Sequence, residues 1–191
     1  MVLSLVAALA LSPAALGGEP RSPWDDLGVC ETWGTDDGLP QCSVNHVVQT
    51  RDGFLWIATH GGLGRFDGRE FQTFGAATPG LGAARITRLF ESRSGDLWIG
   101  TSINGVARYR DGRFERVPAA NGWGPGWVGA IAEDGAGDLW VGALGLYLFR
   151  EGVLEPVQVS QPFSVVSDLL PTAAGDLILA TDQGVMRRTA D

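Results

Sequence analysis

Between residues 44 and 74 the chain alternates short apolar runs with small clusters of turn-forming residues. The runs are 44–49, 54–59, 63–66 and 70–74, parted by Arg51-Asp52-Gly53, His60-Gly61-Gly62 and Asp67-Gly68. Runs this short, without helical spacing and bounded by glycine, read as strands. Asp-Gly and Gly-Gly between such runs are hairpin signals, since both central residues of a type I′ turn need a positive φ. Three tight turns in succession predict a four-stranded antiparallel meander.

The same pattern is then written three more times. Its core, DGFLWIAT at 52–59, returns as SGDLWIGT at 94–101, AGDLWVGA at 136–143 and AGDLILAT at 174–181. The equivalent residues Trp56, Trp98, Trp140 and Ile178 lie 42, 42 and 38 positions apart. A four-stranded unit recurring about every 40 residues is the mark of a β-propeller blade. The expectation is an all-β propeller with repeats at about 44–74, 86–117, 128–157 and 166–188, the recurring tryptophans packing between blades.

The motif formed by an apolar strand, DGxLWIGT and GLxRxDGxxF closely resembles the two-component regulator propeller repeat. The lead-in at 31–40, with Trp33, Asp36-Asp37 and Gly38-Leu39-Pro40, resembles that family's first-blade entry, and the resemblance runs from Glu31 to the end. It implies the extracytoplasmic sensor part of a bacterial hybrid two-component histidine kinase or a membrane-bound diguanylate cyclase. It also implies a small-molecule ligand, with sugars as the expected class, and a receptor homodimer. Residues 31–33 align with the fourth strand of a blade, so they are expected as a lone outer strand that completes the last blade. Two accounts fit: a small four-bladed ring closed by that strand, or the front of a larger propeller. The second is favoured, because the resembling receptors carry more blades and a transmembrane segment beyond them. The membrane is then reached only through C-terminal parts outside these residues.

Composition narrows the class further. Twenty-two acidic against fourteen basic residues, a net charge of -8, oppose binding to a nucleic-acid backbone. Residues 1–18 carry an apolar run at 2–11 and small residues at Ala15-Leu16-Gly17, the make-up of a secretory signal. Residues 19–29 read as a linker, and the blades occupy 30–191. An exported, periplasmic location follows from the signal. Cys30 and Cys42, the two cysteines, are a disulfide candidate in such a compartment, with two small buried hydrophobes as the alternative.

The repeats also sort their surfaces. The turns at Asp52-Gly53, Ser94-Gly95, Asp67-Gly68, Asp111-Gly112 and Glu151-Gly152 are short and stereotyped, whereas the loops at 75–85, 118–127 and 158–165 diverge. Divergent loops gathered at one end of a rigid scaffold are where binding is placed. The first strand of each blade starts from that end, and its apolar positions recur around a varied pair: Asn45-His46, Thr87-Arg88, Gly129-Ala130 and Ser167-Asp168. Packing would repeat an apolar type there, so the pair is expected to face the channel mouth. The candidate ligand-binding residues are His46, Arg88 and Asp168, with Asn45, Arg85 and Trp127 beside them. Trp127 falls just outside its strand, and Trp123 aligns with the packing positions Leu39 and Leu81.

For catalysis the sequence offers two histidines and no metal-ligand spacing, phosphate-binding loop or nucleophile elbow. The expectation is binding without catalysis and without a cofactor. A free periplasmic protein-interaction scaffold and a propeller lyase, using His46, His60 and Asp168, are the alternatives.

Overall fold

The computed structural model describes residues 31–120, 126–159 and 163–189. Among them fifteen strands follow in chain order. Blade 1 holds β1 (Val44–Gln49), β2 (Leu55–Thr59), β3 (Leu63–Phe66) and β4 (Phe71–Phe74). Blade 2 holds β5 (Ile86–Glu91), β6 (Leu97–Thr101), β7 (Val106–Arg110) and β8 (Arg113–Arg116). Blade 3 holds β9 (Ala130–Glu133), β10 (Leu139–Ala143), β11 (Gly145–Arg150) and β12 (Val153–Val157). Blade 4 holds β13 (Val166–Pro171), β14 (Leu177–Thr181) and β15 (Gly184–Arg188). Each sheet is an antiparallel meander of consecutive strands, four-stranded in blades 1 to 3 and three-stranded in blade 4. The fold is an all-β array of propeller blades.

The turns are of two kinds rather than one. At Asp111-Gly112 and Glu151-Gly152 both residues have positive φ (49° and 78°, 48° and 86°), and two residues link paired neighbours, Arg110 with Arg113 and Arg150 with Val153. These are the expected type I′ turns. After the first strand of each blade, by contrast, glycine alone is left-handed (Gly53, Gly95, Gly137 and Gly175). There the Thr50 N–H donates to the Phe54 carbonyl and the Gly53 N–H to the Thr50 carbonyl. The extra residue turns the hairpin into a longer loop with a glycine bulge, in which Asp52 or Ser94 keeps an ordinary φ.

Apolar residues from facing sheets form three clusters, one at each joint between blades. Trp56, Ala58 and Leu63 meet Ile86, Leu89, Leu97 and Ile99; Trp98 and Val106 meet Val128, Leu139 and Val141; Trp140 and Leu146 meet Val166, Leu169 and Leu177. Burial of each such aliphatic side chain contributes about 1.5–3 kcal/mol. Two of the three tryptophans are fixed at their polar edge as well, whereas the buried Trp98 Nε1 has no hydrogen-bond partner among the described residues. Trp56 Nε1–H donates to Thr50 Oγ1 at 3.1 Å and Trp140 Nε1–H to Asp134 Oδ2 at 2.8 Å.

A second set of ties crosses the joints at the turn end. The Arg51 backbone N–H donates to the Glu91 carboxylate, and its guanidinium reaches the carbonyls of Arg93 (2.8 Å) and Ser92 (3.0 Å). One blade on, Arg93 repeats this with Glu133 and the carbonyls of Gly135 and Asp134. Both arginines are mostly exposed, so the ion pairs contribute little. The bonds to carbonyls fix how each blade is rotated against the next.

Residues 31–34 form no strand among the described residues. An outer strand needs a ladder partner for its backbone groups, and no described ladder includes these residues. The Trp33 ring instead lies 5.0 Å from Phe66 and 6.4 Å from Phe71 of blade 1. Cys42 is exposed, which removes it as a buried hydrophobe, and Cys30 lies outside the described residues. So do the signal and linker segments and Trp123.

Candidate binding site at the channel mouth

The four sheets approach one another through their first strands, β1 against β5, β5 against β9 and β9 against β13. Three of these strands, β1, β5 and β13, open with the same irregularity. The pairing with the second strand slips between Val44 and His46, between Ile86 and Arg88, and between Val166 and Asp168. The residue skipped by the ladder is a bulge, and a bulge re-aims side chains. His46, Arg88, Ala130 and Asp168 then face Ala58, Gly100, Gly142 and Ala180 across their own ladders, one equivalent residue per blade.

The bulge residues take a different task from the one expected. Asn45 Nδ2 donates to the Ile86 carbonyl of blade 2 at 2.6 Å, and Thr87 Oγ1 donates to the Val128 carbonyl of blade 3 at 2.7 Å. Asn45 is therefore a tie to the neighbouring blade at this group. In blade 4, Ser167 Oγ lies 3.2 Å from the carbonyl of Ala180. In blade 3 the equivalent position is Gly129, where a side chain would collide with the Val166 carbonyl of blade 4 and with Trp127. An added Cβ would sit 2.6 and 2.7 Å from the Trp127 ring atoms Cζ3 and Cη2. The half-buried Trp127 ring thus lies over the start of the channel strand, in space that a tie residue occupies in blades 1 and 2.

His46 lies within electrostatic reach of Arg88 and of Asp168. Burial pushes the His46 imidazole below its ordinary value, the Arg88 guanidinium lowers it further, and the Asp168 carboxylate opposes both. His46 is a neutral imidazole at pH 7 in consequence. Its Nδ1 is buried and has no hydrogen-bond partner among the described residues. Arg88 is half-buried and donates one bond to the Thr87 carbonyl at 3.1 Å. Asp168 is exposed, and its Oδ1 accepts the Leu169 N–H at 3.0 Å. Equivalent positions of three blades thus carry an imidazole, a guanidinium and a carboxylate, groups that between them donate and accept hydrogen bonds. Arg85 is exposed and stands apart from this group, its Nη2 lying 3.4 Å from His60 Nδ1 in the β2–β3 loop. The sequence signal for the tie is the small polar residue at 45 and 87, one step before the varied residue.

Residues 38–61 and 80–102 match the family model of the two component regulator propeller. These two segments are thus similar to two-component regulator propeller repeats. They span the strand pairs that open blades 1 and 2, including the bulges and the turn glycines Gly53 and Gly95. Among solved structures, an extracellular domain assigned to a hybrid two-component system of B. thetaiotaomicron aligns over 81% of this chain and 22% of its own, with 21% identity and a TM-score of 0.68. A second extracellular domain of that kind, from the same organism, aligns over 80% of this chain and 21% of its own, with 21% identity and a TM-score of 0.65. Virginiamycin B lyase from Staphylococcus aureus aligns over 78% of this chain and 56% of its own, with 15% identity and a TM-score of 0.60. The chain therefore spans about a fifth of the length of the two-component domains, and what these likenesses share with the repeats is the propeller fold. No curated relative matches the sequence.

Proposed function

We propose that this chain is a ligand-sensing propeller segment of an exported two-component signalling receptor, whose output is a histidine kinase or a diguanylate cyclase. It binds a small polar molecule at the channel mouth and does not transform it. The observation that carries the reading is the equivalence of His46, Arg88 and Asp168. Three blades bring three different polar groups to one position of an otherwise apolar repeat, and the His46 ring feels both neighbouring charges. The regulator-propeller repeats and the likeness to extracellular two-component domains support the receptor context. Trp127, beside the mouth, offers a flat face of the kind that stacks on the apolar side of a sugar ring, so carbohydrate is the proposed ligand class.

The test is calorimetric titration of the protein with a panel of neutral and uronic-acid oligosaccharides, followed by chromatography of the recovered ligand. A saturable heat with the ligand recovered intact is expected. The Arg88→Ala, Asp168→Ala double variant should bind at least about tenfold more weakly, about 1.4 kcal/mol, with an unchanged melting temperature. Unchanged affinity in that variant would place the site elsewhere, and a cleaved or rearranged product would make the chain an enzyme.

A further inference from the structure

Blades 2 and 3 are each four-stranded, and the joint between them holds a cavity at its turn end. The cavity measures about 210 Å³ and is lined in part by Ser92, Asp96, Trp98, Arg108, Leu139 and Phe149. At about 30 Å³ of liquid per water, that is the space of about seven waters, or of one small molecule. Two buried donors on residues of its wall, Trp98 Nε1–H and Arg108 Nε–H, have no acceptor among the described residues. Trp98 is 3% exposed. Buried donors are paired as a rule, and an unpaired one is costly.

The joint between blades 1 and 2 shows what is missing. There a cavity of about 290 Å³ lies at the equivalent place, lined by Thr50, Trp56, Glu91, Leu97 and Tyr109 among others. Trp56 Nε1–H donates to Thr50 Oγ1 at 3.1 Å. Arg65, the equivalent of Arg108 across the ladder from its tryptophan, donates to Tyr109 Oη at 3.2 Å and to Gln72 Oε1 at 2.6 Å. One joint on, Ser92 stands for Thr50 and Phe149 for Tyr109. The Ser92 hydroxyl is turned to Ser94 Oγ at 2.8 Å and to the Asp96 carbonyl at 3.2 Å, and phenylalanine has no oxygen to offer. Arg108 keeps only the counterpart of the Gln72 bond, from Nη2 to Glu115 at 2.8 Å. The aromatic contact is not the difference, since Trp56 lies 4.9 Å from Tyr109 as Trp98 lies 4.7 Å from Phe149. The second joint therefore repeats the donors of the first and lacks their acceptors.

Charge on the wall selects the class of acceptor that fits. Asp96 and Glu133 line the cavity together with Arg108 and Arg110, two negative and two positive groups without net charge. Asp96 accepts Arg110 Nε–H at 2.5 Å, and Glu133 accepts the Arg93 backbone N–H at 2.7 Å. An entering anion would be desolvated beside both carboxylates. A neutral hydroxylated molecule meets no such cost: its oxygens can accept from the indole and the guanidinium, and its protons can go to Ser94 Oγ or to the carboxylates.

We propose that the cavity between blades 2 and 3 binds a neutral polyhydroxylated molecule of glycerol to monosaccharide size, whose oxygens accept from Trp98 Nε1–H and Arg108 Nε–H. The site uses no residue of the channel mouth and stands independently of the ligand proposed there.

Indole ¹⁵N–¹H spectra of the full chain test this. The seven tryptophans each give one side-chain signal, and Trp98→Phe identifies that of residue 98. Glycerol, glucose, acetate and phosphate are titrated to about 100 mM at constant ionic strength, which reveals dissociation constants in the millimolar range. Glycerol or glucose should move the Trp98 signal saturably, and acetate and phosphate should leave it in place. Ser92→Asp gives residue 98 the acceptor that Asp134 gives Trp140, and Arg108→Lys removes Nε while keeping a cation for Glu115. Each should weaken the response at least about tenfold, with an unchanged far-ultraviolet spectrum; if Arg108→Lys alters that spectrum, Ser92→Asp alone decides. The Arg88→Ala, Asp168→Ala variant should respond as the wild type does. The absence of a saturable shift with either polyol overturns the proposal, water being then the occupant. So does a response to the anions alone, one that Ser92→Asp leaves intact, or one that the channel-mouth variant abolishes.

Discussion

Gly100 sits where blade 2 meets blade 3, and a single added methyl there probes the packing of that joint. A Cβ on Gly100 would lie 2.7 Å from Val128 Cγ1, 2.9 Å from Val128 Cβ and 3.3 Å from Arg88 Cβ, whereas carbons in contact settle at about 3.5–4.0 Å. Val128 cannot easily retreat. It is 0% exposed, its N–H donates to the Thr101 carbonyl at 3.0 Å, and its own carbonyl accepts the Thr87 hydroxyl at 2.7 Å. Gly100→Ala should therefore cost about 1–3 kcal/mol through overpacking. Val128→Ala removes two buried methyl groups and should cost about 1.5–3 kcal/mol. In the double variant the 2.7 Å clash with Cγ1 is gone while the 2.9 Å approach to the remaining Cβ stays, so the pair should cost less than the two single changes added together. The favourable coupling is then about 1–2 kcal/mol. Urea unfolding followed by tryptophan fluorescence and extrapolated linearly reads all three values. Costs that simply add, within about 0.5 kcal/mol, would mean that residues 100 and 128 do not touch and that the described joint is wrong.

Gly95→Val, at φ 86° with nothing within 4 Å of the added Cβ, isolates backbone strain and should cost more than about 1 kcal/mol; an unchanged urea midpoint would argue against the bulged turn. Asp134→Ala removes the acceptor of the Trp140 indole and of the Ala136 and Asp138 amides and should cost about 1–2 kcal/mol at neutral pH. Burial raises the Asp134 carboxyl, but the indole and backbone bonds outweigh it and hold it below the usual carboxylate range. Its contribution is therefore present at neutral pH and lost as the pH falls through the folded value, so the gap between wild type and variant should narrow in acid, and a constant gap would contradict the assignment. His46 has a folded value below its ordinary 6.5, so the unfolded chain takes up the proton first and stability falls as the pH drops below about 6.5. His46→Gln should flatten the melting-temperature profile between about pH 5 and pH 7, and parallel profiles would show that the imidazole is not desolvated.

The strands and the joints were legible because each rests on local pattern repeated at a fixed period. Trp56, Trp98 and Trp140 announce the interblade core, and the glycines after them announce the turns. The turn type was less legible. Asp-Gly fits both a two-residue type I′ turn and a longer bulged one, and only the paired flanking residues, such as Arg110 with Arg113, decide between them. The roles of Asn45 and His46 could not be separated by alternation alone, because the slip in pairing lies between them and is set by contact with the next blade. Trp127 could be placed near the mouth by position, but its packing over Gly129 depends on a neighbour with no side chain. Trp33 was read from alignment with a fourth strand, while its surroundings are the rings of Phe66 and Phe71.

The bulge that opens the first strands of blades 1 and 2 divides labour between two adjacent residues. At 45 and 87 the side chain fastens one blade to the next, and at 46 and 88 it takes up the position proposed to meet a ligand. A substitution at the second position can alter what the opening presents while leaving the fastening intact, so chemistry there is free to drift blade by blade. A deletion of a single residue between Val44 and His46 would instead exchange the two tasks at once, placing the imidazole against the neighbouring blade and leaving the Ile86 carbonyl without its donor. Substitutions should thus accumulate at this site where length changes do not.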